Sequence, residues 1–229
     1  GEMGLNIAHE IKNPLTAVKG FSQLMHRRNV DRSKMNEYLA LMDDELNRID
    51  KLLNDLLING GRSRLKLESV DFYNILREFV VIYTNIYPDI NFKMETYISA
   101  SAIVKVDKNK IAQLLDNLVK NSVESIHEKT PLHGKNIEFN LLINSDEIIL
   151  KIKDNGKGIP PENVNRIMTP FFTTKAEGNG LGMNLCLGIV EKHNGNIRVF
   201  SKPEEFTEVV IKFKRELLEK LYDAQNIDS

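Results

Sequence analysis

In the stretch "IAHEIKNPLTA", beginning at Ile7, an imidazole (His9) is followed directly by a carboxylate (Glu10), and Pro14 comes one turn later. A neutral imidazole is a usable nucleophile near pH 7, and a neighbouring carboxylate can fix its tautomer and accept its proton. On a helix, His9, Lys12, Asn13, Thr16 and Gly20 share one polar stripe, which turns His9 away from the apolar side. Glu10 lies about 100° further around, so spacing alone does not bring the pair into contact. A lone exposed histidine commonly does nothing, and that bland reading stands beside the nucleophile. Pro14 removes the backbone donor for the Glu10 carbonyl and loosens the helix beside His9.

Three further constellations could hold a ligand. In "IILKIKDNGKGIP", Asp154 shares a strand face with Ile148, Leu150 and Ile152. A carboxylate in that phase is costly unless hydrogen-bonded, and an exocyclic amino group such as that of adenine is a fitting partner. Gly156 and Gly158 let a ligand approach the backbone, although Asp-Asn-Gly is also an ordinary turn. Along "QLLDNLVKNSVESI", Gln113, Asn117, Asn121 and Glu124 line one side, while Ile111, Leu115, Leu118 and Ser122 line another. Asparagine is a poor helix former, and its amide oxygen suits a hard cation such as Mg²⁺. In "EGNGLGMNLCLGIV", Gly178, Gly180 and Gly182 run into an apolar helix, where free N–H groups and a positive helix end could meet phosphates. Thr173, Thr174 and Lys175 in the preceding "PFFTTKAE" are further phosphate or lid contacts, but three glycines alone can equally make a loop.

Elements must position these groups. From Leu5 to about Met25 the apolar residues Ile7, Ile11, Val18, Phe21 and Met25 recur at helical spacing. A polar turn, "NVDRS", follows. Met35, Leu39, Met42, Leu46, Ile49, Leu53 and Leu56 then form a heptad seam, with Asp43, Glu45, Arg48 and Lys51 outside it. Such a hairpin buries too little to stand alone, and a four-helix bundle from two chains completes it. "NGGRSR" marks a boundary. Alternation at Ile137–Ile143, Ile148–Ile152 and Val209–Phe213 predicts strands, between helices at about Asp107–Lys129 and Leu181–His193. The second region reads as an α/β sandwich. The expected division is a dimerising helical hairpin over 1–60, a linker over 61–70 and an α/β domain over 71–229. A short charged helix is expected after Lys214.

Composition sets bounds on function. Hydrophobic residues make up 41% and charged residues 28% of 229 residues, and the net charge is −1. That balance is globular and gives no global electrostatic reason to expect nucleic acid. The longest apolar runs, such as "FVVIY", are too short to span a bilayer. Cys186 is the only cysteine, so no internal disulfide forms, and its apolar setting predicts an inert helix-face residue. No signal peptide is visible, and the expectation is a cytoplasmic fragment. Because the sequence begins within a helix, the expectation includes a missing N-terminal part that could carry a membrane anchor.

Together these residues resemble a sensor histidine kinase. "AHEIKNPL" is similar to that family's H box, "DNLVKNSVES" to its N box and "DNGKGIP" to its first glycine box. "PFFTTK" resembles the F box and "GNGLGMNLC" the second glycine box. With "GFSQLM", the pattern is closer to sporulation-type kinases. The resemblance implies a phosphotransfer hairpin followed by an ATP-binding domain of the gyrase, Hsp90 and MutL kind. It makes His9 the phosphoacceptor, Glu10 its general base and Asn13 the residue that positions water or the phosphoryl group. It assigns Asn121 to Mg²⁺, Asn117 to the nucleotide and Asp154 to adenine, with Gly156 and Gly158 flanking the base. Thr173, Thr174, Lys175, Gly178, Gly180, Leu181 and Gly182 would border the phosphates, beneath a lid of about 169–179. The implied cofactors are ATP and Mg²⁺. The implied partners are a second copy of the chain and the receiver domain of a response regulator, and an inhibitor protein on the helical bundle is compatible. "SKPEEFTEVVIKF" departs from the glycine-rich turn that many relatives carry before the last strand. An ATPase, or an anti-sigma-type serine kinase, shares the nucleotide residues but has no use for His9 in a dimerising hairpin. A non-enzymatic coiled-coil scaffold predicts no nucleotide binding.

Overall fold

Two long helices come first, α1 (Glu2–Met25) and α2 (Arg32–Asn59). This computed structural model describes residues 2–26, 31–59, 64–129, 134–175, 180–215 and 219; in this hairpin, side chains are described for 11–26, 31–46 and 49. The helices pack side by side, with the rings of Phe21 and Tyr38 stacked at 6.0 Å. Pro14 lies inside α1, and the Thr16 hydroxyl donates back to the Lys12 carbonyl at 2.7 Å. Both features tend to bend a helix. The polar turn ends sooner than expected: Asp31 accepts from Lys34 N at 2.8 Å, so α2 already begins at Arg32. Along the α2 seam, Met35, Leu39 and Leu46 are exposed in the single chain. Leu53 and Leu56 fall outside the described side chains.

The expected linker over 61–70 is shorter than the composition suggests. Glu68–Asp71 form strand β1, which pairs antiparallel with β3 (Ile103–Val106). Helix α3 (Phe72–Ile86) follows, capped by Asp71 through Asn74 N at 3.1 Å. A five-stranded sheet contains β2 (Asn91–Ile98), β4 (Asn136–Ile143), β5 (Glu147–Asp154), β6 (Gly195–Lys202) and β7 (Phe206–Lys214), in the order β2-β4-β5-β7-β6. Helix α4 (Lys108–Glu128), the short α5 (Pro161–Val164) and α6 (Gly182–Lys192) complete the described elements. Leu76, Leu115, Ile189, Phe139, Leu150 and Ile211 represent the buried core between α3, α4, α6 and the sheet. Cys186 is fully buried there. Of the charged tail, only Arg215 and Glu219 are described, both helical.

A fully buried histidine fixes where α4 begins. His193 donates from Nδ1 to Ile189 O at 2.8 Å, and its Nε2 accepts from Asp107 N at 3.1 Å. Burial pushes its pKa down, which keeps the ring neutral and Nε2 free to accept. Asp107 caps α4 through Lys110 N and also accepts from Lys66 N at 2.9 Å. The end of α6, the start of α4 and the segment leading in from the hairpin are thus tied at one point.

Candidate functional site

Asp154 ends strand β5 in the core-facing phase, opposite Thr207 of β7, and is 3% exposed. Its Oδ1 accepts from Gly156 N at 3.0 Å, and the hydroxyls of Ser122 and Ser125 on α4 also reach the carboxylate. Burial pushes the pKa up to about 6, against the opposing pull of these hydrogen bonds and of Thr207. The group therefore has its donors arranged and an accepting edge on a cavity of about 500 Å³. Ser122, read from spacing as part of the leucine face, is buried because it serves Asp154.

Asn117 and Asn121 line the same cavity, as do Gly158, Gly180, Gly182, Thr173, Thr174 and Lys175. Asn117 Nδ2 donates to Gln113 O at 2.8 Å, which holds its side chain across the helix face. Asn121 Oδ1 accepts from Lys175 Nζ at 3.2 Å, and the same ammonium forms an ion pair with Glu124. At the far end α6 begins, and the N-cap residue Leu181 has no polar side chain to occupy its first N–H groups. An anion could take them. Gly180 sits at φ +64°, and a Cβ there would come within 2.4 Å of the Phe171 backbone. Phe171 N donates to Gly180 O at 3.0 Å, so the two ends of the intervening loop are joined at the cavity edge.

Some expected residues fall elsewhere. Gly156 backs the site rather than lining it: a Cβ would lie 2.2 Å from Ser125 Oγ. Leu181 is buried, 1% exposed, and is not among the lining residues. Gly178 lies outside the described residues. His9 and Glu10 are on α1, with their side chains outside the described set, and Asn13 is exposed on that helix, away from the cavity lining. Lys12 and Thr16 are exposed beside it, in agreement with the polar stripe.

Sequence reasoning missed Ser125, Lys157, Thr207 and the β6–β7 turn. In that turn Glu204 takes φ 63° in place of a glycine, and its N–H donates to Lys157 O at 2.6 Å. Pro203 and Glu204 line the cavity, so the departure at "SKPEEF" contributes to the site's wall.

Two family profiles match, in order. Residues 1–58 match the His Kinase A (phospho-acceptor) domain, and residues 106–217 match the histidine kinase-, DNA gyrase B- and HSP90-like ATPase. The chain belongs to the sensor histidine kinases. Sporulation kinase A of Bacillus subtilis is 34% identical over 94% of this chain and 34% of its own length. Sporulation kinase C of the same organism is 30% identical over 88% of this chain and 46% of its own. The chain thus spans about a third to a half of the length of these curated relatives. Among solved structures, histidine kinase ThkA in complex with response regulator protein TrrA aligns with a TM-score of 0.68. It is 26% identical and the match covers 94% of this chain and 61% of that one. In a sensor histidine kinase the cavity between α4 and α6 belongs to the ATPase-type fold, which implies use of ATP. Asn121 Oδ1, already facing a cation in the Lys175 ammonium, is a chemically suitable Mg²⁺ ligand.

Proposed function

We propose that this chain is a histidine kinase core: it transfers the γ-phosphoryl group of Mg-ATP to His9 and then to an aspartate of a response regulator. The observation that carries the nucleotide half is the buried Asp154 carboxylate at a cavity that Gly180 and Gly182, at the start of α6, also line. Asp154 accepts the adenine amino group, Asn117 contacts the nucleotide, Asn121 ligates Mg²⁺, and Thr173, Thr174, Lys175, Gly178, Gly180 and Gly182 border the phosphates. The hairpin, residues 1–60, dimerises and carries the phosphoryl group; the unit expected over 71–229 holds ATP and takes in β1 (Glu68–Asp71) as its first strand. The similarity to sporulation kinases favours a sporulation phosphorelay. Incubation with γ-labelled ATP and Mg²⁺ should give a label lost in acid and kept in alkali. A label stable in acid would favour a serine kinase instead.

The α2 seam is the proposed dimer contact, because Leu39 and Leu46 are exposed at heptad spacing in the single chain. Leu46→Arg puts a charge into a packed apolar layer. Light scattering at low micromolar concentration should then report a monomer, and a persistent dimer would place the interface elsewhere.

Asn13 lies one turn beyond His9 and is exposed, about 6 Å further along the axis. That is too far to take the His9 proton, but its amide can orient a water toward a regulator's acyl phosphate docked over His9. Forward transfer needs no such water. Asn13→Ala should therefore slow dephosphorylation of a cognate regulator far more than autophosphorylation. Decay of the phosphorylated regulator with ADP, run beside ATP labelling, measures both; equal losses would assign Asn13 to the helix or to ATP positioning.

A further inference from the structure

Three lysines line the cavity, and two of them have carboxylates that take no part in holding Asn121. Lys120 pairs with Asp116 at 2.7 Å, and Lys157 pairs with Glu128. Lys175 differs. Its ammonium bonds Asn121 Oδ1 at 3.2 Å and forms an ion pair with Glu124, two oxygen groups three residues apart on one face of α4. Residues at that spacing are neighbours on a helix surface. One amide oxygen supplies no charge to hold Mg²⁺, which is usually bound through one or two carboxylates together with substrate phosphates and waters. Glu124 is the carboxylate available beside Asn121, and a cationic nitrogen already sits between the two.

We infer that Glu124 joins Asn121 in holding the divalent cation, and that Lys175 keeps this position as a tethered cation until metal displaces it. The inference rests on the nucleotide site proposed above. Two cations cannot share these oxygens, because like charges a few ångströms apart repel strongly in a partly desolvated site. Metal entry therefore releases the Lys175 ammonium from Asn121 and Glu124. The freed side chain stays on the cavity wall, where the phosphates of a bound nucleotide are its natural partner. Lys175 is then a positioning residue that changes partners according to whether metal is present. The exchange is ionic, with no covalent bond made or broken. Lys175 and Glu124 are both part-exposed, with side chains 31% and 53% accessible, so neither substitution threatens the core.

The test uses Mn²⁺ as the probe in the nucleotide-free protein, read by paramagnetic broadening of amide signals. In the parent protein broadening should centre on α4 around the Asn121 side-chain amide. Lys175→Gln should lower the half-broadening Mn²⁺ concentration about three- to tenfold, the scale of removing a competing charge from a partly exposed pair. Glu124→Gln should raise it by a similar factor, and in the double variant loss of the lysine should bring no gain. An unchanged midpoint in either single variant, or broadening that spares α4, overturns the inference. ADP with Mg²⁺ is titrated into the same samples by calorimetry. Nucleotide binding with unmoved Mn²⁺ midpoints sinks this inference alone, whereas absence of nucleotide binding in the parent protein sinks the underlying site as well.

Discussion

His9→Gln is expected to abolish acid-labile labelling from ATP, while nucleotide affinity stays within about twofold of the parent, as for a change remote from the ligand. Glutamine keeps a polar side chain on the α1 stripe but has no nitrogen lone pair able to attack phosphorus. In the proposed forward step a His9 nitrogen would bond the γ-phosphorus as the bond to the bridging oxygen breaks and ADP leaves with that electron pair. The ring proton would pass to Glu10. Among the described residues, the rival histidines His26, His127 and His193 are constrained by their surroundings; His133 lies outside the described residues. His193 is fully buried with both ring nitrogens engaged, and His26 Nδ1 lies 2.8 Å from Ser22 O. His127 is the instructive case, because it too has a carboxylate neighbour: its Nε2 lies 3.2 Å from Asp89, which also holds Lys135. His127→Gln is therefore the control. It should label like the parent, and retained acid-labile label in His9→Gln would move the phosphoacceptor elsewhere.

The parts legible in the sequence are those where a local rule and the tertiary structure agree. Helix α4 was expected from Asp107 to Lys129 and runs Lys108–Glu128 between those two caps, because Asp107 both stops the preceding strand and accepts from Lys110 N. Strands β4 and β5 are central, so one face is buried throughout and the alternation is clean. Edge strands bury less. Their alternation is present but shallow and short: in β6 only Ile197 is buried and the apolar Phe200 falls on the exposed phase, while β2 alternates over Phe92–Glu95 and then runs on through exposed Tyr97 and Ile98. Helix α3 was hidden differently: "REFVVIYTNI" is apolar around much of its circumference, with Val81, Ile82 and Ile86 exposed. At the site, Asp154 was conspicuous because a carboxylate on a core face is costly. Its partners were not, because Ser125 and Thr207 meet it only through the docking of α4 and the β5–β7 register. The Lys175–Glu124 pair joins residues 51 positions apart, and no spacing rule spans that loop.

Asp154→Asn should weaken ATP binding about ten- to a hundredfold, the scale of exchanging a charged acceptor for a donor that opposes the adenine amino group. The variant should still fold. Its remaining oxygen can accept from Gly156 N, and the Ser122 and Ser125 hydroxyls can turn to accept from the new amide. The pH dependence carries the sharper test. With the folded pKa raised to about 6, the empty site holds a growing share of neutral acid below that pH and loses its charged acceptor. Adenosine affinity, free of phosphate titration, should therefore fall as pH drops from 7.5 to 5 in the parent and stay weak and flat in Asp154→Asn. Stability runs the other way. A carboxyl whose folded pKa is raised binds its proton in the folded state while the unfolded chain, near 3.9, has already lost it. Its contribution to stability therefore grows as pH falls from about 6 to 4, by up to about 3 kcal/mol relative to neutral pH. Subtracting the Asp154→Asn unfolding curve isolates that term from other titrating groups. Loss of adenosine affinity on the acid side with a simultaneous relative gain in stability excludes acid unfolding as the cause, since unfolding would lower both. Equal adenosine affinity in the two proteins at pH 7.5, or parallel pH profiles, would remove Asp154 from adenine recognition.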